Sequence, residues 1–492
     1  MNDIKKDNPL KAEKRRKLGK LRELGINPYP YSFDRTATVE EIRQKFGDIP
    51  AATEMKEDVH QIAGRLMAMR TMGKSVFFNI QDQSGTLQVY IKPSLLPEMQ
   101  KLAFDLLDLG DIVGVKGYIF KTKTGELSLH AEYFEMLCKT LEPLPEKFHG
   151  IADPEIKYRY RHLDLIMDKE SRKVFETRSK IITGIRSFLN GRGFMEVETP
   201  VLQPIYGGAS AKPFSTNLRA LDMTLFMKIS PELYLKRLIV GGFEKVYDLG
   251  KNFRNEGIDR THNPEFTMVE WYEAYTDYFY QMKQFEELVS KLAVDITGST
   301  KITYMEKEID FTTPWRRLSV YDGLREYAGI EPNTILENDL LVELQKHDAK
   351  AEKASKGEML MKLFEHAVEK HLWQPTFVMD HPEEISPLTK KHRTEAGLVE
   401  RFEPFAACME LGNSYSELND PEDQYNRLKG QEEKRVIDEE AHPMDDDFIH
   451  AIDVGMPPTG GVGLGVERIV MLLTNSSTIR DIIFFPTMKH KN

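Results

Sequence analysis

Apolar positions across residues 58–139 fall in short runs rather than at helical spacing, and they read as strands. Residues 59–66 form one run; residues 111–120 and 127–137 form two more, joined at Lys123-Thr124-Gly125. Residues 76–81 and 86–91 alternate strictly about Gln83-Ser84-Gly85, the pattern of a hairpin. Val76, Phe78 and Ile80 share one face, and Leu87, Val89 and Ile91 share one face of the partner, so these are core positions. Phe77 and Gln88 then point outward. Residues 95–107 carry a helical pattern. Five strands with a helix between the third and fourth predict an OB-fold β-barrel over residues 58–140. An outward aromatic beside an amide on such a sheet suits stacking of an unpaired base.

The period changes downstream. Leu141-Glu142-Pro143-Leu144-Pro145 opens a proline-stiffened linker, residues 141–150. Residues 174–189 predict a helix with Val174, Ile181, Ile185 and Phe188 on one stripe, closed by Gly191 and Gly193. Strands and helices then mix without βαβ alternation, which predicts an α+β domain over residues 151–492, an antiparallel sheet flanked by helices. Residues 333–371 are strongly charged and helical and read as an insertion. Residues 1–57 form an N-terminal extension whose helix carries Lys11, Lys14, Arg15, Arg16, Lys17, Lys20 and Arg22. Met72-Gly73-Lys74-Ser75 looks like the end of a phosphate-binding loop, but Ala68 stands where the first glycine belongs, so the segment reads as a turn between strands.

With 492 residues the chain has room for two or three domains. Hydrophobic content of 40% and charged content of 29% are those of a globular protein, not a disordered or fibrous one. Cys138 and Cys408 are too few for a disulfide framework or a zinc site, which suits a reducing cytoplasm. The charged N-terminus lacks the apolar core of a signal peptide, and no run approaches the ~20 apolar residues of a membrane span. The net charge of −11 argues against general nucleic-acid affinity, but local basic surface decides such binding, and the N-terminal helix is one.

Two distant segments carry the chemistry. In residues 243–275, two strands around a polar loop bring Arg254, the acids Glu256, Glu270 and Glu273, and the rings Phe266, Trp271 and Tyr272 around one pocket. In residues 460–473, a glycine-rich strand runs into an apolar helix with Arg468 near its start; glycines there let a ligand approach closely. Arg254 alone would read as a salt-bridge residue, and a glycine-rich turn alone is weak evidence. Together they are specific. FRNEG…HNPEFTMVEWY resembles the second signature motif of class II aminoacyl-tRNA synthetases, and GVGLGVERIVMLL resembles the third. RSFLNGRGFMEVETPVL, residues 186–202, resembles the first, with Pro200 as its proline. Over residues 18–486 the resemblance is to the bacterial-type lysine branch, on YGGA at 206–209, PELYLKR at 231–237 and ELGNSYSELND at 410–420.

That resemblance implies an ATP-dependent ligase that activates L-lysine and charges its tRNA, a homodimer joined across the first motif, with several Mg²⁺ ions accompanying ATP. Arg254 and Arg468 would be the catalytic cations, Arg254 bridging the lysine carboxylate and the α-phosphate. Glu256 and His262 would meet the adenine edge and outer phosphates, and Phe266 and Arg468 the two faces of adenine. Glu403 and Glu410, seven apart, would hold the metal. In the lysine site, Glu232 and the Gly208 carbonyl would take the α-amine, Glu417 with Tyr272 the ε-amine, and Glu270 either end. Asn413 would hold the carboxylate, and Tyr415 would pack the methylenes. Phe77 and Gln88 would read the middle anticodon base, and the basic helix would face tRNA backbone. Charge points the same way: Glu232, Glu270 and Glu417 have no obvious local cation, and a dicationic ligand would relieve their repulsion. Ser414, where relatives often carry Gly or Ala, predicts a narrower pocket. Two alternatives are a protein-modifying paralogue, a type that typically lacks the OB-fold, and an inactive RNA-binding relative, which intact Arg254, Glu403, Glu410 and Arg468 argue against.

Overall fold

The structure, a computed structural model, describes residues 8–145, 153–347, 354–436 and 441–489. The chain divides into two compact units, Met1–Ala152 with His490–Asn492, and Asp153–Lys489. Part of the linker reading and residues 348–353 of the insertion lie outside the described residues.

The first unit is a closed barrel in the order Glu54–Met72, Ser75–Gln81, Thr86–Ile91, Leu127–Cys138, Ile112–Lys121. Val76, Phe78, Ile80, Leu87, Val89 and Ile91 fill its interior, all at most 7% exposed. The first strand is longer than its apolar run because it pairs with two neighbours and carries bulges. The helix is shorter, Glu98–Asp105, since Pro97 caps it and Pro93 starts a separate 3₁₀ turn. Gly73 and Lys74 form the tight turn between the first two strands, Gly73 with φ +60°.

The N-terminal helix Pro9–Glu23 presents less basic surface than its composition suggests. Lys14 is buried and donates to the Leu109 carbonyl (2.9 Å) and Thr140 Oγ1 (3.0 Å). Lys17 pairs with Asp108 and Lys11 with Glu142, both at 2.6 Å. Arg15, Lys20 and Arg22 remain exposed.

The second unit is built on a nine-stranded sheet. Its order is Arg316–Ser319, Thr376–Pro382, Leu398–Ala406, Gly412–Ser416, Thr459–Gly465, Glu265–Ala274, Lys245–Phe253, Met195–Glu196, with Met409–Glu410 paired onto Leu398–Ala406. The sheet is antiparallel through its centre and parallel at both edge pairs. Each parallel pair is joined by a long crossover, which parallel strands require. One crossover carries the charged insertion, with helices Glu337–Lys346 and Lys356–Ala367.

Helices Lys169–Gly191, Tyr278–Thr297 and Val466–Leu473 cover one face of the sheet and enclose the main core. The period-2 alternation of Glu265–Ala274 divides its residues between the two sides. Val269 and Trp271 enter the core, while Phe266, Met268, Glu270 and Tyr272 face a cavity. Trp271 is therefore not a stacking surface for a ligand. It is fully buried, and its indole N–H donates to Gln281 Oε1 at 2.9 Å.

Candidate functional site

The central strands of the sheet form two cross-strand rows. Glu270, Gly463 and Asn413 are register partners in one; Tyr272, Gly461 and Tyr415 are partners in the next. The glycines of Thr459–Gly465 make a trough between flanking side chains. A Cβ on Gly461 would lie 2.1 Å from Glu417 Oε1 and 2.4 Å from the Tyr272 ring. Gly208, at φ +82°, is equally constrained, since a Cβ there would meet Ser230 Oγ at 2.7 Å. The trough opens into a cavity of about 420 Å³. Every residue anticipated for the lysine, nucleotide and metal sites lines it except Glu417, which lies just behind Gly461.

One end of the cavity is deeply buried and acidic. Glu232, Glu270 and Glu417 are each at most 4% exposed. Glu270 accepts from Ser230 Oγ (2.8 Å) and from the Tyr272 hydroxyl (3.2 Å). Burial and the neighbouring Glu232 carboxylate push its pKa up to about 8, against the pull of Arg254. Glu232 accepts from the Tyr415 hydroxyl at 2.5 Å, so Tyr415 offers more than a wall for methylenes. Burial raises Glu417 well above the usual carboxylate range, and neither of its oxygens has a well-directed hydrogen bond.

The expectation that these acids lack a local cation is wrong. Lys236, wholly buried, reaches Glu232 at 2.6 Å and Glu417 at 2.5 Å. Burial alone would discharge its ammonium, but the two carboxylates outweigh it and keep the group charged. Glu232 and Lys236 stand four apart on the helix Glu232–Val240, the spacing that places side chains on one face. That spacing was readable in PELYLKR. The contact with Glu417 was not, because it joins two segments far apart in the chain. Ser414 also departs from expectation. Its hydroxyl donates to the Gly461 carbonyl at 2.7 Å, so it pins the trough rather than narrowing it.

The other end is more open and carries arginines beside acids. Arg254 follows the strand Lys245–Phe253, and its main-chain N–H donates to the Pro264 carbonyl, closing the loop. Its guanidinium sits 5.1 Å from the Phe266 ring, and its buried Nε has no partner. Arg468, in the first turn of Val466–Leu473, bonds the Glu410 carbonyl and lies 3.3 Å from its carboxylate. Glu467 beside it accepts from the Thr267 N–H and from Arg178, tying the third motif to the second. His262 is exposed and pairs with Asp259 at 2.8 Å. Burial raises the Asp259 carboxyl, but donors at Thr261 and His262 outweigh this and hold it near about 2.

Arg401, unanticipated from sequence, organises the floor. It pairs with Glu403 at 2.6 Å and donates to Asn413 Oδ1 at 2.9 Å, which leaves the Asn413 amide N–H₂ to face the cavity. The insertion contributes too. Glu369 is pushed up to about 8 by burial and by Glu365, Glu403 and Glu410. Among the described residues, no group of three or more metal-ligating side chains is close enough to hold an ion alone. Hard carboxylate oxygens at Glu403 and Glu410 suit a divalent cation whose remaining ligands come from a phosphate chain.

On the barrel, Phe77 is half-buried on the outer face, 5.0 Å from Tyr90 and with Arg70 5.5 Å from its ring centroid. Gln88 shares that face but is covered. Its amide accepts from Arg70 (3.1 Å) and donates to Ser128 (2.8 Å) from neighbouring strands. Register continues the aromatic row through Tyr90, His130 and Tyr118, with ring centroids 4.8 and 4.7 Å apart. Outward parity of Tyr90, two residues after Gln88, was the available signal for this extension.

Comparison with known proteins agrees with this architecture. Residues 153–489 match the family described as tRNA synthetases class II (D, K and N), and residues 60–137 match the OB-fold nucleic acid binding domain. The lysine–tRNA ligase of Methanoculleus marisnigri is 51% identical over 480 residues, 96% of this chain and 94% of that relative. The lysine–tRNA ligase of Thermoanaerobacter sp. (strain X514) is 47% identical, covering 100% of this chain and 98% of its own, and that of Clostridium novyi is 48% identical, covering 98% and 95%. Signature motifs on the cavity walls, an OB-fold barrel and full-length similarity converge: the chain belongs to the class II aminoacyl-tRNA synthetases, in their lysine–tRNA ligase family.

Proposed function

We propose that the chain joins L-lysine to ATP as lysyl-adenylate and transfers lysine to the 3′ end of its tRNA. The observation that carries this reading is the polarity of the cavity: at one end a half-buried guanidinium whose Nε has no hydrogen-bond partner, and three buried carboxylates at the other. In the first step a lysine carboxylate oxygen attacks the α-phosphorus, and the bond to pyrophosphate breaks. In the second, a terminal ribose hydroxyl of tRNA attacks the carbonyl carbon and AMP leaves. Neither step needs a side-chain nucleophile. The main requirement is fixed positive charge where negative charge crowds together. Arg254 supplies it between carboxylate and α-phosphate, and its planar fork stays charged there. Arg468 serves the γ-phosphate and one adenine face, Phe266 covers the other, and Glu256 and His262 take the adenine edge and outer phosphates. Mg²⁺ bound with ATP would be held by Glu403 and Glu410 and would neutralise charge on the phosphates.

Glu232 and the Gly208 carbonyl take the α-amine, Glu417 and Tyr272 the ε-amine, and Asn413 the carboxylate. Phe77, with Gln88, stacks on and reads an anticodon base. A homodimer across the first motif around Pro200, in the cytoplasm, fits the same reading. Among the described residues no helix is long and apolar enough to cross a membrane. The test is ATP–pyrophosphate exchange with each standard amino acid, followed by charging of total tRNA. Exchange and charging specific to lysine are expected. Exchange with another amino acid, or none with any, would overturn the assignment.

A further inference from the structure

Lys236 has no part in the reaction just described, yet it is among the most buried cations of the molecule. Its ammonium joins the two carboxylates assigned to opposite ends of the substrate, Glu232 and Glu417. We infer that Lys236 is a specificity-determining positioning residue, which fixes Glu232 and Glu417 relative to each other and sets the charge of the pocket to match a ligand with two ammonium groups. The inference rests on the assignment of lysine as substrate.

Fully ionised, Glu232, Glu270 and Glu417 carry three negative charges and Lys236 one positive, a net of −2. Lysine brings two ammonium groups to this cluster, which cancel it, while its carboxylate is left to Arg254 and Asn413. Without Lys236 the same three acids would leave one buried charge uncompensated, a costly state that a buried site avoids by holding a proton. His442, which also lines the cavity, does not upset the count. Burial and the Lys236 charge lower its pKa to about 4, so the ring is neutral.

Geometry adds a second line. Glu232 Oε2 is taken by the Tyr415 hydroxyl and Oε1 by Lys236. On Glu417, Oε2 faces Lys236, while Oε1 lies against Gly461 at the trough floor without a hydrogen bond. Lys236 thus engages one oxygen of each acid, with the second oxygen of Glu232 held by Tyr415 and that of Glu417 left unbonded beside Gly461. Because Lys236 and Glu232 share one helix, the helix holds that spacing rigidly. A ligand with only one ammonium would leave a carboxylate unpaired.

The test is lysine-dependent pyrophosphate exchange by wild type, Lys236→Gln and Lys236→Arg. For Lys236→Gln, KM for lysine should rise roughly tenfold or more, while KM for ATP stays within about twofold. Lys236→Arg keeps the charge and should recover most of the loss. Equal rises in both KM values, or a folded Gln variant with wild-type KM for lysine, would overturn the inference. If Lys236→Gln does not fold, wild type still decides the charge count. Pentane-1,5-diamine should then compete with lysine at least about tenfold better than pentylamine, since each unpaired buried charge costs heavily. Equal inhibition by the two amines would overturn the match to two ammonium groups. Failure of wild type to use lysine at all would instead refute the proposed function.

Discussion

The two ends of the cavity solve the same electrostatic problem in opposite ways. At the amino-acid end every acid is at most 4% exposed, and the protein supplies its own counter-ion in Lys236. At the open end, which we propose takes the nucleotide, Glu256 and His262 are exposed, the Glu410 side chain is 40% exposed, and Arg254 keeps a nitrogen without a partner. Buried charge must be offset by a counter-ion or a bound proton until the ligand arrives, because removing it from water costs far more than a surface pair returns. Charge near water can wait for the ligand. Under the proposed function, the two ammonium groups of lysine would meet a preset end, and the polyanionic phosphates of ATP an adaptable one.

The sharpest way to break this contrast is at their junction. Arg254→Ala should lower pyrophosphate exchange by roughly 10²–10³-fold, as loss of one preorganised charge contact at a reacting centre does. Near-normal exchange by the folded variant would show that Arg254 is a structural cation. A second variant separates the ends. Glu417→Gln should raise KM for lysine by about 10–10²-fold, as expected for one hydrogen bond to a charged group, and leave KM for ATP close to wild type. Lys236 retains Glu232 in this variant, so the cost is smaller than for a wholly abandoned ion pair. Equal losses for both substrates would place Glu417 in the scaffold.

The contrast also marks what sequence could reveal. Residues that carry a motif were legible: the loop from Arg254 to Phe266, the glycine trough and Arg468 all occur in contiguous, patterned stretches. Barrel and hairpin parity were legible because alternation in Val76–Ile80 and Leu87–Ile91 has one burial solution. The partners were not. Lys236 to Glu417, Arg401 to Asn413, and Glu369 beside Glu403 and Glu410 are contacts across strands or from an insertion, and no local period encodes them. Trp271 was misjudged for a related reason. Composition marks it as a stacking ring, and only its parity, opposite to Glu270, sends it into the core.

A variant outside the cavity gives the control. Phe77→Ala should leave lysine-dependent exchange unchanged, since Phe77 belongs to the barrel and not to the unit that holds the cavity. Charging should fall by about tenfold, within the ~1–3 kcal/mol of a base–aromatic stack. Both assays belong on one preparation. Unchanged charging would remove Phe77 from the anticodon face, and a parallel fall in exchange would make it a structural residue.

The smallest expected effect is the most specific to the buried end. Glu270 faces Ser230, Tyr272, Glu232 and Arg254, and in the free pocket its pKa stands at about 8 against an ordinary value of 4.5. Between those values the folded protein holds a proton that the unfolded chain has released. The contribution of Glu270 to the stability of the ligand-free enzyme should therefore fall as pH rises from 4.5 toward 8, by at most about 1.4 kcal/mol per pH unit, a slope read as the difference between wild type and Glu270→Gln. Lysine binding runs the other way. A dication favours ionised Glu270, so binding expels the proton, and affinity should rise roughly fivefold between pH 7 and pH 8. Glu369, beside Glu403 and Glu410 at the other end, also stands at about 8, so any pH trend in ATP binding should persist unchanged in Glu270→Gln. Calorimetry in buffers of different ionisation enthalpy would detect the released proton, and Glu270→Gln should abolish the release. A lysine affinity that is flat across pH 6–8 would mean that Glu270 is already ionised in the empty pocket, and that the two ends differ less in kind than their burial implies.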